Sequence, residues 1–578
     1  MQKRNPYLIN KAFRSYLAAS VLTVAATQVA NIADASIVGN LIGPEGLAAV
    51  NLSQPLMQAF YAVSCIYISS STMLAGMSIG QGDRPQANKY FSFSLLTSLL
   101  VGLLFVAVGL LMFNPLSQLL CNSDTLRPMT NEYMRITILS SIPQLLMYTF
   151  NQFVTIDGSP RLITRAVIVG NIFNIAFDVI FIKYCGWGIS GAAWSTFIMY
   201  VVCILMVLPH FRKAGTLRLN FSKLSSLDFT RIVGFGMPLF FSTVLLSVQF
   251  IGNNYTASHY LGDNGLIALA VCMQLLCFSM IILTGTLCTI QPVGSILKGI
   301  GDDHGMAILM QKAYTFQTVC LAVYILAIMA FPVQIGSLLG AANEGSVPVL
   351  RQALPLFSLH IAMQALLYNL IPVYQYYDRK KLAFFISFAQ TLLPMVGFWL
   401  LRGGWIGFFL GQLLTAIVLL AWAELIRRRQ SRSGTSEPST SLLPVCLIPR
   451  SQGQQVLDFS FPYSADEMHR SFDELSDWLR RSNLPDSTIF KVRIVAEELM
   501  SNVIRHAEQK DGKAYADVRL VIKPESVTFA ITDNGIPFNP IENKDKGYGL
   551  MIANGASSQI SYKYQFGQNM TTAVIDMS

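Results

Sequence analysis

The stretch LIGPEGLAAV, residues 41–50, returns in altered form as YLGDNGLIAL, residues 260–269. A second stretch, SIGQGDRPQA (78–87), likewise resembles LKGIGDDHGM (297–306). At the one fixed offset that separates these stretches, which we call the repeat offset, five positions are identical, namely the pairs Gly43 and Gly262, Gly46 and Gly265, Gly80 and Gly299, Gly82 and Gly301, and Asp83 and Asp302. The sequence therefore predicts two halves of similar structure, which is typical of transporters.

The composition is that of an integral membrane protein. Of the 578 residues, 53% are hydrophobic and 13% are charged, whereas about 25% of residues are charged in soluble proteins. Up to Arg432 the chain has 27 Lys and Arg against 14 Asp and Glu, and after it 14 against 18. A basic membrane part thus precedes a slightly acidic soluble part. Because membrane loops that face the cytoplasm are basic, the excess does not indicate a nucleic-acid partner.

Twelve segments are apolar over the roughly 20 residues that a membrane-spanning helix needs. The repeated stretches open and close the second and the eighth of them, so two six-helix halves run parallel, over residues 10–220 and 221–430. A substrate cavity is expected between such halves. The twelve predicted spans are 15–40, 47–75, 92–114, 133–155, 162–183, 189–209, 232–260, 264–290, 312–335, 352–375, 382–401 and 405–426.

Loop charge predicts the orientation of these helices. The loops after even-numbered helices, with both flanks, hold 22 Lys and Arg, whereas the loops after odd-numbered helices hold 5. This asymmetry places both ends of the membrane part in the cytoplasm. We therefore expect a multi-pass protein of the plasma (inner) membrane, surrounded by lipid, whose C-terminal domain lies where ATP is present.

A polar linker, 431–453, separates the membrane part from an α+β domain at 454–578. Its sequence predicts a first strand in QQVLDFSFP, helices at 464–482 and 486–507, and a strand pair around the turn PES. Two further strands are predicted at about 558–566 and 570–577.

An acid inside a spanning helix costs about 2.5–3.5 kcal/mol and is a functional candidate by default, and two candidates are clear. Asp34 lies in the first helix, and Asp178 lies in the fifth, one turn after Asn174. Thr196 in the sixth helix is close enough in the predicted arrangement to join them. Such a set could carry H⁺ or bind Na⁺ through its oxygens, or it could only fasten helices together. In the second half Gln249, Asn253, Asn254, Gln364 and Asn369 are candidates for lining the cavity or for bonding helices to each other.

The membrane part resembles the multidrug and toxic compound extrusion (MATE) transporters. The resemblance rests on DASIVGNLIGPEGLAAVNLSQPL, GSPRLITRAVIVGNIFNIAFDVIFI and GWGISGAAWSTF, and on twelve helices in two halves. It implies a V-shaped pair of six-helix lobes that export organic, often cationic, compounds against inflow of H⁺ or Na⁺. It also implies an ion site in the first lobe, formed by Asp34, Asn174, Asp178 and Thr196. The acids that another branch of the family has in its seventh and tenth helices are not present here.

The C-terminal domain offers a second set of candidates. Glu498 and Asn502 lie one turn apart on a predicted helix, followed by DNGIPFNP (533–540) and KGYGLM (546–551). An Asn oxygen suits a Mg²⁺ that otherwise binds water and phosphate, and a neighbouring Glu suits a general base. Glycines at a helix start leave backbone amides open to phosphates. The sequence contains no G-x-x-x-x-G-K-[ST] motif, so a P-loop ATPase is not supported.

In order and spacing these motifs resemble the GHKL (Bergerat-type) ATP-binding fold, an α+β sandwich, and within it the anti-sigma-factor serine kinase group. The terminal GQNMTTAVI fits that group, while Pro537 stands where many members have Gly. The resemblance implies ATP and Mg²⁺ as cofactors. It assigns roles as follows: Asn502 to Mg²⁺, Glu498 to the general base, Asp533 to adenine, and Gly535, Gly547 and Gly549 to the nucleotide loops. His506 is either a support of the nucleotide lid or a helix cap.

Two hypotheses follow. The first is an ion-driven exporter whose cytosolic domain binds ATP, and either regulates transport or phosphorylates a partner such as an anti-anti-sigma-type protein. The second is a membrane-anchored serine/threonine kinase that uses the transporter fold as a sensor. A histidine kinase is disfavoured because it needs a phosphoacceptor helix pair far upstream of the ATP-binding fold. His469, the nearby candidate, lies instead in a short amphipathic helix directly before the one that carries Glu498.

Overall fold

The structure is a computed structural model. It describes residues 4–121, 123, 125–212, 216–339, 341, 345–432, 448, 455–506, 514–523, 525–541 and 548–577.

The membrane part contains the predicted helices. Ten helices among the described residues are long and apolar enough to cross a membrane. One of them, Ser226–Ile300, consists of two helices that meet at Gly262, whose φ is 64°, and Arg127–Ile156 is a further long helix. The prediction of twelve spans is therefore confirmed by the described long helices, which are Tyr7–Leu41, Pro44–Gly80, Arg84–Leu111, Arg127–Ile156, Pro160–Tyr184, Gly188–Arg212, the two halves of Ser226–Ile300, Asp303–Ala330, Ser346–Tyr376, Lys380–Leu400 and Ile406–Arg432.

The internal repeat is visible in the helix bounds. Arg84–Leu111 in the first lobe and Asp303–Ala330 in the second begin and end at positions related by the repeat offset. The short helices that follow, Phe113–Leu120 and Pro332–Leu338, also begin at positions related in this way. Each lobe is thus the same succession of helices.

Each of the two repeated turns contains a glycine followed by an aspartate, and the structure gives a reason for both residues. Gly82 and Gly301 have φ values of 82° and 75°, a conformation that glycine adopts without steric cost. The aspartate that follows each glycine caps the next helix, because Asp83 Oδ1 accepts a hydrogen bond from the Gln86 amide at 3.0 Å and Asp302 Oδ1 accepts one from the Gly305 amide at 2.7 Å.

The C-terminal domain is one antiparallel sheet with helices on one face. The strands lie in the order β1-β2-β3-β5-β4, and they are β1 Val456–Pro462, β2 Tyr515–Ile522, β3 Ser526–Asp533, β4 Gln559–Gln565 and β5 Gln568–Asp576. The helices are Ala465–Arg480, Asp486–His506 and Tyr548–Ala556. Every predicted strand and helix of this domain is confirmed, with ends close to those expected. Of the predicted linker, the structure describes only residues 431–432 and 448.

The domain has a hydrophobic core of its own between the sheet and its helices. Phe461, Leu475, Val495 and Phe529 are fully buried in it, together with Leu499. Along β2, Val518 and Leu520 face this core, so the residues between them face the other side of the sheet. That other side rests on the membrane part.

Candidate functional site

The acids predicted inside the membrane part lie together. The Asp34 and Asp178 carboxyl groups are within hydrogen-bonding reach of each other. Asp178 is fully buried, and it accepts a hydrogen bond from the Ser195 hydroxyl. Three helices supply the cluster, the first with Asp34, the fifth with Asp178 and the sixth with Ser195.

The amide of Asn174 joins the cluster through the sixth helix. Asn174 Nδ2 donates to Ser195 Oγ at 3.1 Å and reaches Thr196 Oγ1 at 3.5 Å. The Thr196 hydroxyl itself donates to the Ala192 carbonyl oxygen, one turn earlier in its own helix, at 3.1 Å. The structure therefore brings Asp34, Asn174 and Asp178 together, whereas Thr196 lies at the edge of the group.

Two oxygens of the cluster have no hydrogen-bond partner among the described residues. They are Asp34 Oδ1 and Asp178 Oδ2, and both are buried. Two carboxylates in contact repel each other strongly when both are ionised, so such a pair holds a shared proton or a cation between its oxygens. The arrangement is suited to taking up H⁺ or Na⁺, because both place positive charge at the two open oxygens.

Sequence reasoning did not identify Ser195, which links Asp178 to Asn174. Its neighbour Thr196 is the residue of the sixth helix that the sequence and the resemblance indicate. Position offers a signal that could have found Ser195, since it lies next to Thr196 in the small-residue run GAAWST, where a hydroxyl on a tightly packed helix faces a neighbour.

In the C-terminal domain a pocket opens between the helix Asp486–His506 and the ends of β3 and β5. Asn502 and Asp533 line it, and Asn569 and Thr571 line it from β5. Its apolar lining consists of Leu499, Val503, Ile531, Ile536, Phe538 and Pro540. A pocket with apolar walls and a few polar groups at defined positions suits a flat base with a polar edge.

Asp533 is held at the end of β3 by three donors. Its Oδ1 accepts hydrogen bonds from the Tyr463 hydroxyl at 2.9 Å, the Gly535 amide at 2.9 Å and Asn569 Nδ2 at 2.8 Å. Burial raises the pKa of Asp533, although these hydrogen bonds oppose the shift. The carboxyl group is therefore fixed in position, with one oxygen occupied by the protein.

Asn569 and Tyr463 were not predicted as site residues. Asn569 is buried and also accepts hydrogen bonds from the Phe538 amide at 3.1 Å and the Tyr562 hydroxyl at 2.7 Å. It thereby ties β5 to the loop after β3. The terminal GQNMTTAVI contained this residue, but a strand prediction alone does not indicate which of its polar side chains points into a pocket.

Glu498 lies against the start of the helix Tyr548–Ala556. A Cβ atom at Gly549 would lie 2.1 Å from Glu498 Oε2 and 2.5 Å from its Cδ, so any larger residue there would displace the carboxylate. Gly535 lies in the loop after β3, where its amide donates to Asp533. Gly547 and the side chain of His506 lie outside the described residues.

The residues present fit ATP with Mg²⁺. Asn502 supplies an amide group to the lining of the pocket, and Asp533 supplies a carboxyl group. Within the described part of the chain, no group of three His, Cys, Asp or Glu side chains could hold a metal. A Mg²⁺ at Asn502 would therefore take most of its ligands from phosphate and water, which is the usual arrangement for this ion.

Comparisons with known proteins identify both parts of the chain. Residues 19–180 and 238–400 match the MatE family model, and residues 461–575 match the model for the Histidine kinase-like ATPase domain. Multidrug export protein MepA of Staphylococcus haemolyticus (strain JCSC1435) is 25% identical over 252 residues, which are 43% of this chain and 55% of that protein. Multidrug export protein MepA of Staphylococcus aureus (strain MRSA252) is 21% identical over 295 residues, which are 50% of this chain and 65% of that protein. The chain thus spans 55–65% of the length of these curated relatives.

Solved structures share the fold of the membrane part. A crystal structure of MATE in the bent conformation has a TM-score of 0.67 at 20% identity and covers 75% of this chain and 100% of its own. An outward-facing multidrug resistance MATE family transporter of the MOP superfamily has a TM-score of 0.65 at 20% identity, with the same coverage. A MOP superfamily transporter from Pyrococcus furiosus has a TM-score of 0.63 at 21% identity, and covers 74% of this chain and 98% of its own. With the family model matching more than half of its length, the chain belongs to the MatE family and carries a histidine kinase-like ATPase domain at its C-terminal end.

Proposed function

We propose that this protein is an antiporter of the plasma membrane that exports organic, often cationic, compounds against inflow of H⁺ or Na⁺. The observation that carries the proposal is the contact between the Asp34 and Asp178 carboxyl groups, with one open oxygen on each. A buried acid pair is costly to keep in a membrane protein, and binding a proton or a cation is the chemistry that it serves. The names of the MepA relatives, which are multidrug export proteins, support the choice of substrate class.

Transport in proteoliposomes tests this proposal. Asp34→Asn keeps the shape of the side chain but cannot release a proton or attract a cation at neutral pH, so we expect ion-driven efflux to fall to background. Glu132→Gln is the matched control, because Glu132 is an exposed acid of the same lobe that bonds to Ser190 outside the cluster. Normal efflux by Asp34→Asn, in protein that is folded and inserted, would show that the ion site lies elsewhere.

The orientation is part of the proposal. With 22 Lys and Arg on one side of the membrane and 5 on the other, both ends of the membrane part lie in the cytoplasm, where ATP is available. Cysteines placed at residues 83–90, where the helix Arg84–Leu111 begins, and in the 430–440 linker are then expected to react only with reagents that reach the cytoplasm. Labelling of either position from outside intact cells would contradict this orientation.

The C-terminal domain binds Mg·ATP in this proposal, with Asn502 at the metal, Asp533 at the adenine, and Gly535, Gly547 and Gly549 in the nucleotide loops. ATP regulates transport, or is used to phosphorylate a partner with Glu498 as general base, but it does not drive export. The support is that the membrane part already has acids suited to an ion gradient, whereas the domain resembles folds that hold a single nucleotide.

Calorimetry on the full chain tests the nucleotide site. Asn502→Ala is expected to weaken Mg·ATP binding while leaving the weaker binding of metal-free ATP nearly unchanged, because the lost contact is to the metal. Asn483→Ala is the matched control, since Asn483 lies exposed in the turn between two helices of the domain. Equal losses with and without Mg²⁺ would show that Asn502 acts on the nucleotide and not on the metal.

A second candidate is a membrane-anchored serine/threonine kinase of the anti-sigma-factor type. It is favoured by one observation, the placement of Glu498 one helical turn from Asn502 beside the pocket. A general base acts on the attacking hydroxyl group, so Glu498→Ala is expected to remove phosphoryl transfer while sparing ATP binding. Efflux without an ion gradient, driven by ATP and lost in Glu498→Ala, would overturn both candidates and indicate an ATP-driven pump.

A further inference from the structure

The face of the C-terminal sheet that carries no helices is buried against the membrane part. Along β2, Asp517 and Arg519 alternate with the core residues Val518 and Leu520, so both charged side chains point toward the membrane part. Arg519 is 6% exposed and Asp517 is 4% exposed. This face of the sheet is therefore an interface with the membrane part, and it contains buried charges.

Arg519 connects this face to the second lobe. Its Nη1 lies 2.5 Å from Asp458 Oδ2 in β1 and 3.5 Å from Asp302 Oδ1 at the turn before Asp303–Ala330. Its Nη2 also donates to the Gly301 carbonyl oxygen in that turn. The guanidinium of Arg519 thus links β2 to the neighbouring strand β1 and to one turn of the second lobe.

The segment before the first helix completes the same cluster. Arg4 Nη1 lies 2.5 Å from Asp302 Oδ2, and Arg4 Nε lies 3.2 Å from Asp517 Oδ2. Although burial opposes ionisation, the charges of Arg4 and Arg519 hold the pKa of Asp302 below its usual range. Removing one partner of a buried, hydrogen-bonded ion pair leaves the other charge buried and unpaired, which is strongly unfavourable, so the docked sheet depends on every member of this cluster.

A second set of contacts connects β4 to the first lobe. Lys563 Nζ lies 3.3 Å from Asp157 Oδ1, and His210 Nε2 lies 2.9 Å from Asp157 Oδ2. Gln565 donates to the Ile156 carbonyl oxygen at the end of the same helix. Arg84 Nη2 donates to the backbone of β4 at 3.3 Å. One sheet therefore holds the first lobe with β4 and the second lobe with β1 and β2.

The two lobes are packed backbone to backbone at this end of the membrane part, which we call the docked end. A Cβ atom at Gly80 would lie 2.3 Å from the Ile296 carbonyl oxygen, and one at Gly299 would lie 2.2 Å from the Met77 carbonyl oxygen. Gly80 and Gly299 are repeat-related and stand at the ends of the helices that lead into the turns held by the sheet. The lobes are thus closed at the docked end.

We propose that the C-terminal domain is a clamp that holds the two lobes together at the docked end, so that they separate there only when the sheet leaves. Under the proposed function, the clamp would regulate transport by keeping the lobes closed at the docked end. Only this effect on transport rests on the proposed function. The contacts themselves are between domain and lobes, and they are measured without transport.

The clamp leaves the nucleotide pocket accessible, because the two lie on opposite faces of the same strands. In β5, Asn569 and Thr571 line the pocket, whereas Gln568 and Met570 line the cavity against the membrane part. Gln568 Nε2 also donates to the Leu8 carbonyl oxygen in the first helix at 2.6 Å. Strand alternation therefore gives the domain a nucleotide side and a clamp side.

Hydrogen exchange on the full chain in lipid nanodiscs tests the clamp. Arg519→Gln removes the contacts of β2 to the second lobe and the pair with Asp458 inside the sheet, and it leaves the contacts of β4 to the first lobe in place. If the sheet is one rigid clamp, its release exposes both lobes. Exchange is then expected to rise on the order of tenfold or more in both repeat-related turns, at Gly80–Arg84 and at Gly299–Asp303.

Arg480→Gln is the matched control, because Arg480 is an exposed arginine of the same domain that pairs with Asp477 away from the interface. It is expected to leave both turns unchanged. Faster exchange at the second turn alone, or at neither turn, in Arg519→Gln would overturn the clamp. If the amides of β1–β5 also lose protection, the variant has unfolded the domain, and a cross-link decides instead.

The cross-link joins Gly82→Cys to Ser561→Cys. A Cβ atom at Gly82 would lie 3.5 Å from Ser561 Cβ, which is within the roughly 3.5–4.5 Å that a disulfide spans. Tethering raises the effective concentration of the sheet at both lobes. In the Arg519→Gln background the oxidised form is expected to regain protection at both turns and to lose it on reduction. Continued rapid exchange at Gly299–Asp303 in the oxidised form would overturn the proposal, and Gly82→Cys alone controls for the strain at that glycine.

Discussion

The two lobes have the same helices but different chemistry inside. At the repeat offset, Asp34 of the first lobe corresponds to Asn253 of the second. Asp34 contacts Asp178, whereas Asn253 is 1% exposed and neither of its side-chain polar atoms has a partner among the described residues. The position of Asp178 is taken by Gly397 in the second lobe. At these equivalent positions, therefore, two carboxyl groups that can share a proton or a cation are present in the first lobe and not in the second.

In the repeated turns at the docked end it is the second lobe, and not the first, that has a buried carboxyl group. Gly82 and Gly301 are equivalent, and both carbonyl oxygens accept a hydrogen bond from the sheet, the first from Gln559 at 3.3 Å and the second from Arg519. Asp83 only caps its own helix and is exposed, whereas Asp302 is buried beside two guanidinium groups. The second lobe thus supplies the charged part of the interface with the domain.

The comparison shows that two lobes of the same fold can keep the same backbone and differ in their functional side chains. Backbone geometry is retained at the glycines and at the capping aspartates, because the turn and the helix start need them in both lobes. Side chains that the backbone does not require differ: the first lobe has the buried acid pair, and the second lobe has, in its repeated turn, a buried charged residue that contacts the domain.

The largest effect is expected when the second lobe is given the acid of the first. Asn253→Asp places a carboxyl group at a buried position where the asparagine has no hydrogen-bond partner among the described residues. A buried acid in a membrane helix costs about 3 kcal/mol. We expect the melting temperature of the detergent-solubilised protein to fall clearly below that of the parent chain. The reverse exchange, Asp34→Asn, removes an acid–acid contact and is expected to leave the melting temperature unchanged or higher. An Asn253→Asp protein as stable as its parent would mean that the second lobe can accommodate a carboxyl group after all.

The sequence was sufficient for the repeat, the twelve helices and the ATPase-like domain, for identifiable reasons. Glycines at turns and aspartates at helix starts leave a local signature, and their recurrence at a single offset made it visible. Asp34, Asn174 and Asp178 were also predictable, since charged and amide side chains are rare in apolar helices and two of them lie one turn apart. Ser195 was missed because a serine in a packed membrane helix is common, and only its position beside Thr196 in a run of small residues indicates a contact.

The interface between domain and lobes was beyond sequence reasoning. Arg4, Asp302 and Arg519 lie far apart along the chain, and each alone reads as a solvated surface charge. Only the fold brings them into one buried cluster. The same applies to Asn569, whose role depends on the side of β5 that faces the pocket.

The next largest effect compares the two capping aspartates. Asparagine caps a helix as well as aspartate does, so Asp302→Asn keeps the turn while removing the charge that Arg4 and Arg519 share. Hydrogen bonds to charged groups contribute about 1.5–3 kcal/mol, which predicts roughly thirtyfold weaker docking. Asp83→Asn is the equivalent change in the first lobe and is expected to alter docking by less than about twofold.

Docking is measured by adding the separate domain, residues 454–578, to the chain that ends at Arg432. The domain has its own buried core, so it is expected to fold alone. Equal losses for Asp302→Asn and Asp83→Asn would mean that the two turns contribute alike and that the charged cluster adds nothing to docking.

A smaller effect is expected from pH, through the contact of the first lobe. Lys563 faces Asp157, which also pairs with His210, and Lys563 lies near Arg84. Burial lowers the pKa of Lys563 to about 8 in the docked state. An undocked, exposed lysine titrates near its usual value of about 10.4. Between these values the undocked form binds more protons, so docking strengthens as the pH rises, by on the order of tenfold from about pH 8 to about pH 9.5.

Lys563→Met serves as the control for this pH dependence. Methionine retains the apolar stem but has no titrating group, so the rise in affinity over this range is expected to disappear. A rise that persists in Lys563→Met would assign the pH dependence to another group at the interface. A fall in affinity over the same range in the parent chain would contradict the sign of the lysine shift.

The smallest effect is expected at the turn of the first lobe. Gln559 donates to the Gly82 carbonyl oxygen from an exposed position, and a neutral hydrogen bond that competes with water contributes at most about 1 kcal/mol. We expect Gln559→Ala to weaken docking of the separate domain by about twofold, whereas Arg519→Gln at the equivalent carbonyl of the second lobe weakens it by on the order of tenfold or more. If the two losses were equal, the equivalent carbonyls would be used alike, and the asymmetry of the interface would have to come from Arg4 and Asp517 alone.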